Sequence, residues 1–392
     1  MPDLHIRRES SAARVEWQVT LRMADGDRQS KDTGLRTSRS RDVLTTTWNE
    51  YELSRLMLGT VQFGQPYGVA NRTGQPDQAQ VRAMISTALD GGVNCLDTAA
   101  TYGTSEEVLG QALQELGVSD RLIIATKVRP LQPEELDDPR LAEQAIEASV
   151  ATSRRRLGID CLPVVLFHRE ADAQHLDVLD QLRRRGWLKH VGVSCGNQPG
   201  FVNSFSGIDR LSALQIPANL LDRRHQAQGA FETAAINGIA VFIRSVYLQG
   251  LLVMPDGDIP SPLQHVTGLR RTLAGIADQA GMSLAELAVR CMLGQPGVTS
   301  VLVGVETEVQ VRDNLALFAK GPLPADVQEA VHGLAPAVPE MLITPALWPQ
   351  PANAGSNLAT GDAGAPVDTP VDTPVDAPPL DDKPQVMPDS SN

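Results

Sequence analysis

Gly91-Gly92-Val93-Asn94-Cys95-Leu96-Asp97-Thr98-Ala99-Ala100-Thr101-Tyr102-Gly103 is the stretch on which the fold turns. Its apolar part, Val93–Leu96, has the length and composition of a short buried strand. The preceding pair Gly91-Gly92 ends a helix, because the apolar positions before it (Val81, Met84, Ile85, Ala88, Leu89) repeat at helical spacing and form one buried stripe. A helix, a glycine stop and a buried strand form one half of a repeating unit. The strand then delivers a carboxylate, Asp97, and five residues later a phenol, Tyr102.

The same alternation runs along the chain. Strands are expected near Met57 and over Val93–Leu96, Leu122–Thr126, Cys161–Phe167, Leu188–Val193, Leu211–Ile216, Ile239–Ile243 and Ser300–Val303. Helices follow over about 104–116, 139–157, 175–185, from 197, 226–237, 265–280, 283–294 and 307–318. Thr104/Glu107 and Ser283/Glu286 have capping-box spacing. The strands are short, continuous and apolar, as in a parallel sheet covered on both faces. Eight such units over roughly 290 residues fit a closed (β/α)8 TIM barrel, an α/β fold of typically ~250 residues. An open doubly wound sheet would usually carry GxGxxG after its first strand. Gly59-Thr60-Val61-Gln62-Phe63-Gly64 does not match that fingerprint.

Three regions emerge. Residues 1–50 form a polar, Arg/Ser-rich extension with nine Lys/Arg against eight Asp/Glu, expected to be disordered. Residues 51–347 hold the barrel. Residues 348–392 form an acidic low-complexity tail in which Pro-Val-Asp-Thr repeats at 366–369 and 370–373. The net charge of −13 and the lack of a basic stripe argue against a nucleic-acid partner. No apolar run approaches the ~20 residues that span a bilayer, and the four cysteines lie far apart with no CxxC pair. The expectation is a cytoplasmic protein with reduced thiols and no metal centre.

A barrel of this kind carries its reactive groups just past the C-terminal strand ends. Those positions hold Thr60, Asp97 with Tyr102, Lys127, His168, Ser194, Gln215, Ser245 and Gly304, while the opposite ends are bland. Taken singly, each has an ordinary explanation: Asp97 as a turn cap, Lys127 as a solvated strand end, His168 as a surface residue beside Arg169 and Glu170. Together, on consecutive strand ends, they make coherent chemistry. A phenol with a pKa of ~10 is a weak acid near neutrality, and a neighbouring ammonium lowers that pKa. Lys127 supplies the ammonium, Asp97 an ion-pair partner for it, and His168 a hydrogen bond to the same substrate oxygen. The sum is a proton donor for a carbonyl oxygen that becomes negative on accepting hydride. No side chain donates hydride, so a cofactor must.

These residues resemble those of the aldo-keto reductases, in particular a bacterial subgroup of poorly defined substrate. The resemblance covers about 56–318 and rests on Leu58-Gly59-Thr60, Leu96-Asp97-Thr98-Ala99 with Tyr102-Gly103 and Ser105-Glu106, Ala125-Thr126-Lys127, His168, Val191-Gly192-Val193-Ser194, Gln215, Gln249-Gly250-Leu251-Leu252 and Val303-Gly304-Val305-Glu306-Thr307 with Asn314. It implies reduction of an aldehyde or ketone by a nicotinamide cofactor without metal, with NADP(H) only slightly ahead of NAD(H). Asp97, Tyr102, Lys127 and His168 match the catalytic tetrad, and Tyr102 matches the proton donor. Thr60, Ser194, Gln215, Ser245, Leu248, Gly250, Gly304, Gln310 and Asn314 match cofactor-binding positions.

Three departures from the pattern stand out. Cys195 replaces an Asn, and Arg244 replaces an aromatic residue that stacks on the nicotinamide, a place Tyr247 could fill instead. Gly304, Glu306 and Gln310 occupy positions where basic residues commonly receive the 2′-phosphate. Two other function classes remain open on the sequence: a non-catalytic sensor that binds the nucleotide and signals to a partner, and a Schiff-base aldolase using Lys127.

Overall fold

A computed structural model describes residues 43–334 and 338–348. The expected tail from 349 on, and the first 42 residues of the expected N-terminal extension, lie outside the described residues. Ten strands are present among these. An antiparallel hairpin, β1 (Thr45–Trp48) with β2 (Tyr51–Ser54), precedes eight parallel strands: β3 (Leu56–Gly59), β4 (Cys95–Asp97), β5 (Ile123–Val128), β6 (Leu162–Phe167), β7 (Leu188–Ser194), β8 (Ala213–Pro217), β9 (Ala240–Arg244) and β10 (Ser300–Gly304). The eight close into a barrel in sequence order, with β10 pairing back onto β3 through Val301↔Leu56 to Gly304↔Gly59. The (β/α)8 barrel expected from the sequence is therefore the fold.

Strand periodicity explains the placement of the chemistry. Successive side chains alternate between the barrel interior and the helix layer. In β4, Cys95 joins the interior cluster and Leu96 packs under the helices, so Asp97 returns to the interior. In β5, Ile123 and Ala125 point inward and Ile124 outward, which sends Lys127 inward. Asp97 pairs in register with Ala125, so Lys127 stands one layer higher on the neighbouring strand.

The helices follow the apolar stripes. Gln78–Asp90 starts with a complete capping box, in which Gln80 N donates to Asp77 and Asp77 N donates to Gln80, both at 2.8 Å. The box expected at Thr104/Glu107 does not form. Thr104 has φ −93° and ψ 12°, outside the extended conformation an N-cap hydroxyl needs, and its Oγ1 accepts from Gln75 instead. At the other expected cap, Glu286 N donates to Ser283 Oγ at 3.1 Å. The single helix expected over 226–237 is two, Arg224–Ala227 and Ala230–Ile236, because Gly229 between them takes a left-handed conformation (φ 67°) that ends the first.

The hairpin β1/β2 begins five residues before the boundary drawn at residue 50. Its Trp48 and Leu53 join the interior cluster with Met57 and Phe242. The Trp48 ring lies 4.6 Å from His190 and 6.1 Å, edge-on, from Phe242. The hairpin plugs the end of the barrel from which the strands start. No described helix is long and apolar enough to cross a membrane. Trp48→Ala should destabilise the fold by about 3 kcal/mol or more, the usual cost of emptying a buried aromatic site. Urea denaturation followed by circular dichroism measures it, and an unchanged midpoint would show that the plug contributes nothing.

Candidate active site

At the opposite end, Lys127 is completely buried. Its Nζ donates to Asp97 Oδ1 at 2.7 Å, to the Thr98 carbonyl at 2.9 Å and to the Tyr102 hydroxyl at 3.3 Å. Three acceptors satisfy the three protons of an ammonium. Burial pushes the Lys127 pKa down, and the Asp97 carboxylate acts against that shift. The ammonium also stands 4.8 Å from the centre of the Tyr102 ring. His168 meets that ring edge-on at 5.8 Å. Burial, with the positive charges of Lys127, Arg244 and Arg169, holds the His168 pKa down to about 3, so the imidazole is neutral at physiological pH. Its Nδ1 is hydrogen-bonded to Thr101 Oγ1 at 3.1 Å, a partner not singled out from the sequence although it belongs to the same motif.

The four tetrad candidates thus meet in one cluster. The cofactor candidates divide. Gln215, buried at the end of β8, donates Nε2 to Asp97 Oδ1 at 2.7 Å, so it contacts the same oxygen as Lys127. Ser194 lies beside Gln215 in register at the end of β7. Thr60 is fully buried, and its hydroxyl donates to the Asp97 carbonyl at 2.8 Å and meets Ser105 Oγ at 2.9 Å. That is a brace between the end of β3 and the loop that follows β4.

Ser245, Leu248 and Gly250 lie on the loop after β9. Four non-glycine residues have positive φ among those described, and three are here: Ser245 (64°), Leu248 (51°) and Gln249 (52°), followed by Gly250 (90°). Such backbone is costly and persists where function or packing demands it. A Cβ on Gly250 would lie 2.3 Å from the Cβ of Ala70, on the loop that leaves β3. Gln249 Nε2 donates to Tyr67 Oη of that loop at 3.2 Å. Past β10, Glu306 N donates to Gln310 Oε1 at 2.7 Å, and Asn314 accepts from Tyr247 Oη at 3.0 Å. Tyr247 is therefore anchored toward the helix Glu308–Phe318. Arg244 Nη2 donates to the Cys195 carbonyl at 3.0 Å.

These features suit a dinucleotide. The loop after β9 folds into a tight turn, Leu248 N donating to the Ser245 carbonyl and Gly250 N to the Tyr247 carbonyl, both at 2.9 Å. A Cβ on Gly304 would fall 2.8 Å from Gln62 Nε2, so a side chain there would require the Gln62 amide to move. Gln62 Oε1 is buried with no hydrogen-bond partner among the described residues, an acceptor left for a ligand. Gln62 escaped the sequence analysis because nothing in its neighbours signals a site.

The Aldo/keto reductase family model matches residues 55–335. A probable voltage-gated potassium channel subunit beta of Arabidopsis thaliana is 27% identical over 305 residues, covering 69% of this chain and 90% of that one. The NADH-specific methylglyoxal reductase of Escherichia coli (strain K12) is 26% identical over 300 residues, covering 67% and 89%. The holo form of an aldo-keto reductase from Bacillus halodurans superimposes with a TM-score of 0.62 at 22% identity, covering 76% of this chain and 97% of that one, a likeness of fold. Fold and matches define an NAD(P)-dependent oxidoreductase. The chain belongs to the aldo/keto reductase family.

The neutral His168 links stability to pH. The folded imidazole has a pKa of about 3, against ~6.5 in the unfolded chain. The unfolded chain therefore takes up this proton first. The contribution is complete above about pH 6.5 and is lost progressively as pH falls toward 3. Urea midpoints at pH 7 and pH 5 should fall further apart for the wild type than for His168→Gln. Equal differences would place His168 in a solvated, ordinary environment.

Proposed function

We propose that the chain reduces a small aldehyde or ketone to an alcohol, with Tyr102 as proton donor. The observation that carries this is the buried Lys127 ammonium hydrogen-bonded to both Asp97 and the Tyr102 hydroxyl. A bound nicotinamide dinucleotide would supply the hydride. Ser194 and Gln215 would hold its carboxamide, the backbone at Ser245, Leu248 and Gly250 its pyrophosphate, and Gly304, Gln310 and Asn314 its adenosine end. Tyr102 passes its hydroxyl proton to the carbonyl oxygen as negative charge develops there. Lys127 stabilises the phenolate left behind, and Asp97 keeps Lys127 charged against the cost of burial. When Thr101 donates to Nδ1 of His168, the remaining ring proton is on Nε2, a neutral donor for the substrate oxygen. The family resemblance puts NADP(H) slightly ahead of NAD(H), and the acidic side chain of Glu306 after β10 weighs against that order. The four free cysteines suit a reducing, cytoplasmic setting.

Similarity to a probable channel subunit motivates a second reading, a barrel that binds the nucleotide and reports to a partner. Full binding of NADH or NADPH with no turnover on a broad carbonyl panel, methylglyoxal included, would favour it. The aldolase alternative loses ground, because Lys127 Nζ directs its protons at three fixed acceptors and has no unbonded amine to attack a carbonyl.

Tyr102→Phe should lower kcat by about 10²–10⁴, the range typical of a positioned acid. Cofactor affinity should stay within about threefold, because a hydroxyl that acts only on the substrate oxygen adds nothing to dinucleotide binding. Turnover at the wild-type rate would remove Tyr102 from the mechanism. Gly250→Ala should weaken dinucleotide binding by about tenfold, since a side chain is strained at φ 90° and collides with Ala70. Unchanged affinity in a fluorescence titration would move the cofactor away from this loop.

A further inference from the structure

We infer that Thr101 is a positioning residue: its hydroxyl donates to Nδ1 of His168 and locks the imidazole in the tautomer that keeps a proton on Nε2 for the substrate oxygen. The inference deepens the carbonyl-reduction reading above and rests on it. Strand geometry brings the two side chains together. Lys127 pairs in register with Leu166, and Val164 and Leu166 line the barrel interior. The period of two then turns His168 inward, one layer above Lys127. Thr101 comes from the turn after β4, which is tied down through its backbone. Thr98 N donates to the Ala125 carbonyl at 2.8 Å, Ala100 N to the Lys127 carbonyl at 3.1 Å and Tyr102 N to the Ala99 carbonyl at 3.1 Å. From this rigid support the Thr101 hydroxyl meets Nδ1 at 3.1 Å. The next residue is Tyr102, whose ring stands edge-on to the same imidazole. One turn therefore carries both the phenol and the group that holds the phenol's neighbour.

The charges of the site make such a group necessary. Burial and the cations Lys127, Arg244 and Arg169 keep the His168 ring neutral. An imidazolium would donate from both nitrogens, whereas a neutral ring donates from one only. Which one is set by the hydrogen bond that the other nitrogen makes. A threonine hydroxyl has a single proton to give. Among the described residues the Thr101 hydroxyl has no hydrogen-bond partner besides Nδ1. Donation to Nδ1 uses that proton, and the reverse arrangement leaves it without an acceptor in the protein. The reverse tautomer would also set a lone pair on Nε2 against the lone pairs of a carbonyl oxygen. A valine at position 101 has nearly the same outline but no proton, so it fills the space and releases the tautomer.

The test joins a spectroscopic readout to a kinetic one. In the purified full chain labelled with nitrogen-15, the ring nitrogens of His168 are assigned by their loss in His168→Gln. At neutral pH they should show a pyridine-type Nδ1 and a pyrrole-type Nε2. Thr101→Val should move both signals toward the average of the two tautomers. It should also lower kcat on methylglyoxal by about tenfold, short of the 10²–10³ that follows loss of a whole oxyanion donor. Its affinity for NADH and NADPH should stay within about threefold, since the hydroxyl faces the imidazole. Thr101→Ser restores the donor and should bring kcat back to within about threefold of the wild type, with the wild-type nitrogen signals. A pyrrole-type Nδ1 in the wild type overturns the inference. So do nitrogen signals unchanged in Thr101→Val, and a loss of kcat in Thr101→Ser as large as in Thr101→Val, which marks a packing role. No turnover by the wild type on a broad carbonyl panel, with the expected nitrogen signals present and lost in Thr101→Val, overturns the carbonyl reading and leaves the hold of Thr101 on the tautomer standing.

Discussion

The ion pair between Lys127 and Asp97 is the constraint around which the reactive end is arranged. Two charges this deeply buried are tolerable only with every hydrogen-bonding valence met, since an unpaired buried charge costs about 3–5 kcal/mol. The surroundings meet that demand closely. The Thr98 carbonyl and the Tyr102 hydroxyl take the other two ammonium protons. Gln215 donates to Asp97 from across the barrel. Thr60 holds the Asp97 carbonyl from the strand on the other side. Beneath the loop, buried Glu106 accepts from Thr126, the neighbour of Lys127. The pair therefore ties β3, β4, β5 and β8 together at one layer, and the position of Tyr102 follows from it.

Much of this was legible in the sequence because strands have a rigid period of two. Once Cys95 and Ala125 are recognised as interior residues, Asp97 and Lys127 must point inward as well. The closed barrel followed from eight short apolar runs of similar spacing, each with a polar group at its end. The hairpin β1/β2 was not legible. Its strands have four residues each, begin Thr45-Thr46-Thr47, and bury little beyond Trp48 and Leu53. The helix break at Gly229 was missed because a single glycine is tolerated in many helices, and only the observed φ shows that this one turns the chain.

Contacts between loops were the other blind spot. Thr73 and Glu306 are 233 residues apart, and neither belongs to a periodic element. Nothing local marks them as partners. The hydrogen bonds of Thr60 were illegible for a related reason. It follows a strand end as expected, and only neighbouring Asp97 and Ser105 decide which way its hydroxyl turns. Gln215 shows the reverse: expected at the carboxamide of a cofactor, it is found with one amide proton on Asp97, which orients the rest of its amide group.

The hairpin at the starting end of the strands has a consequence for traffic. The interior of such a barrel is packed with side chains rather than open, and Trp48 and Leu53 extend that packing at the starting end of the strands, so the reactive layer is reached from the loop side. A reaction at that layer then has one doorway for everything that enters or leaves. Where two molecules must occupy the same blind channel, the deeper one has to arrive first and depart last. The closed interior, capped by a hairpin of ten residues, would set the order of events in any cycle run at the other end.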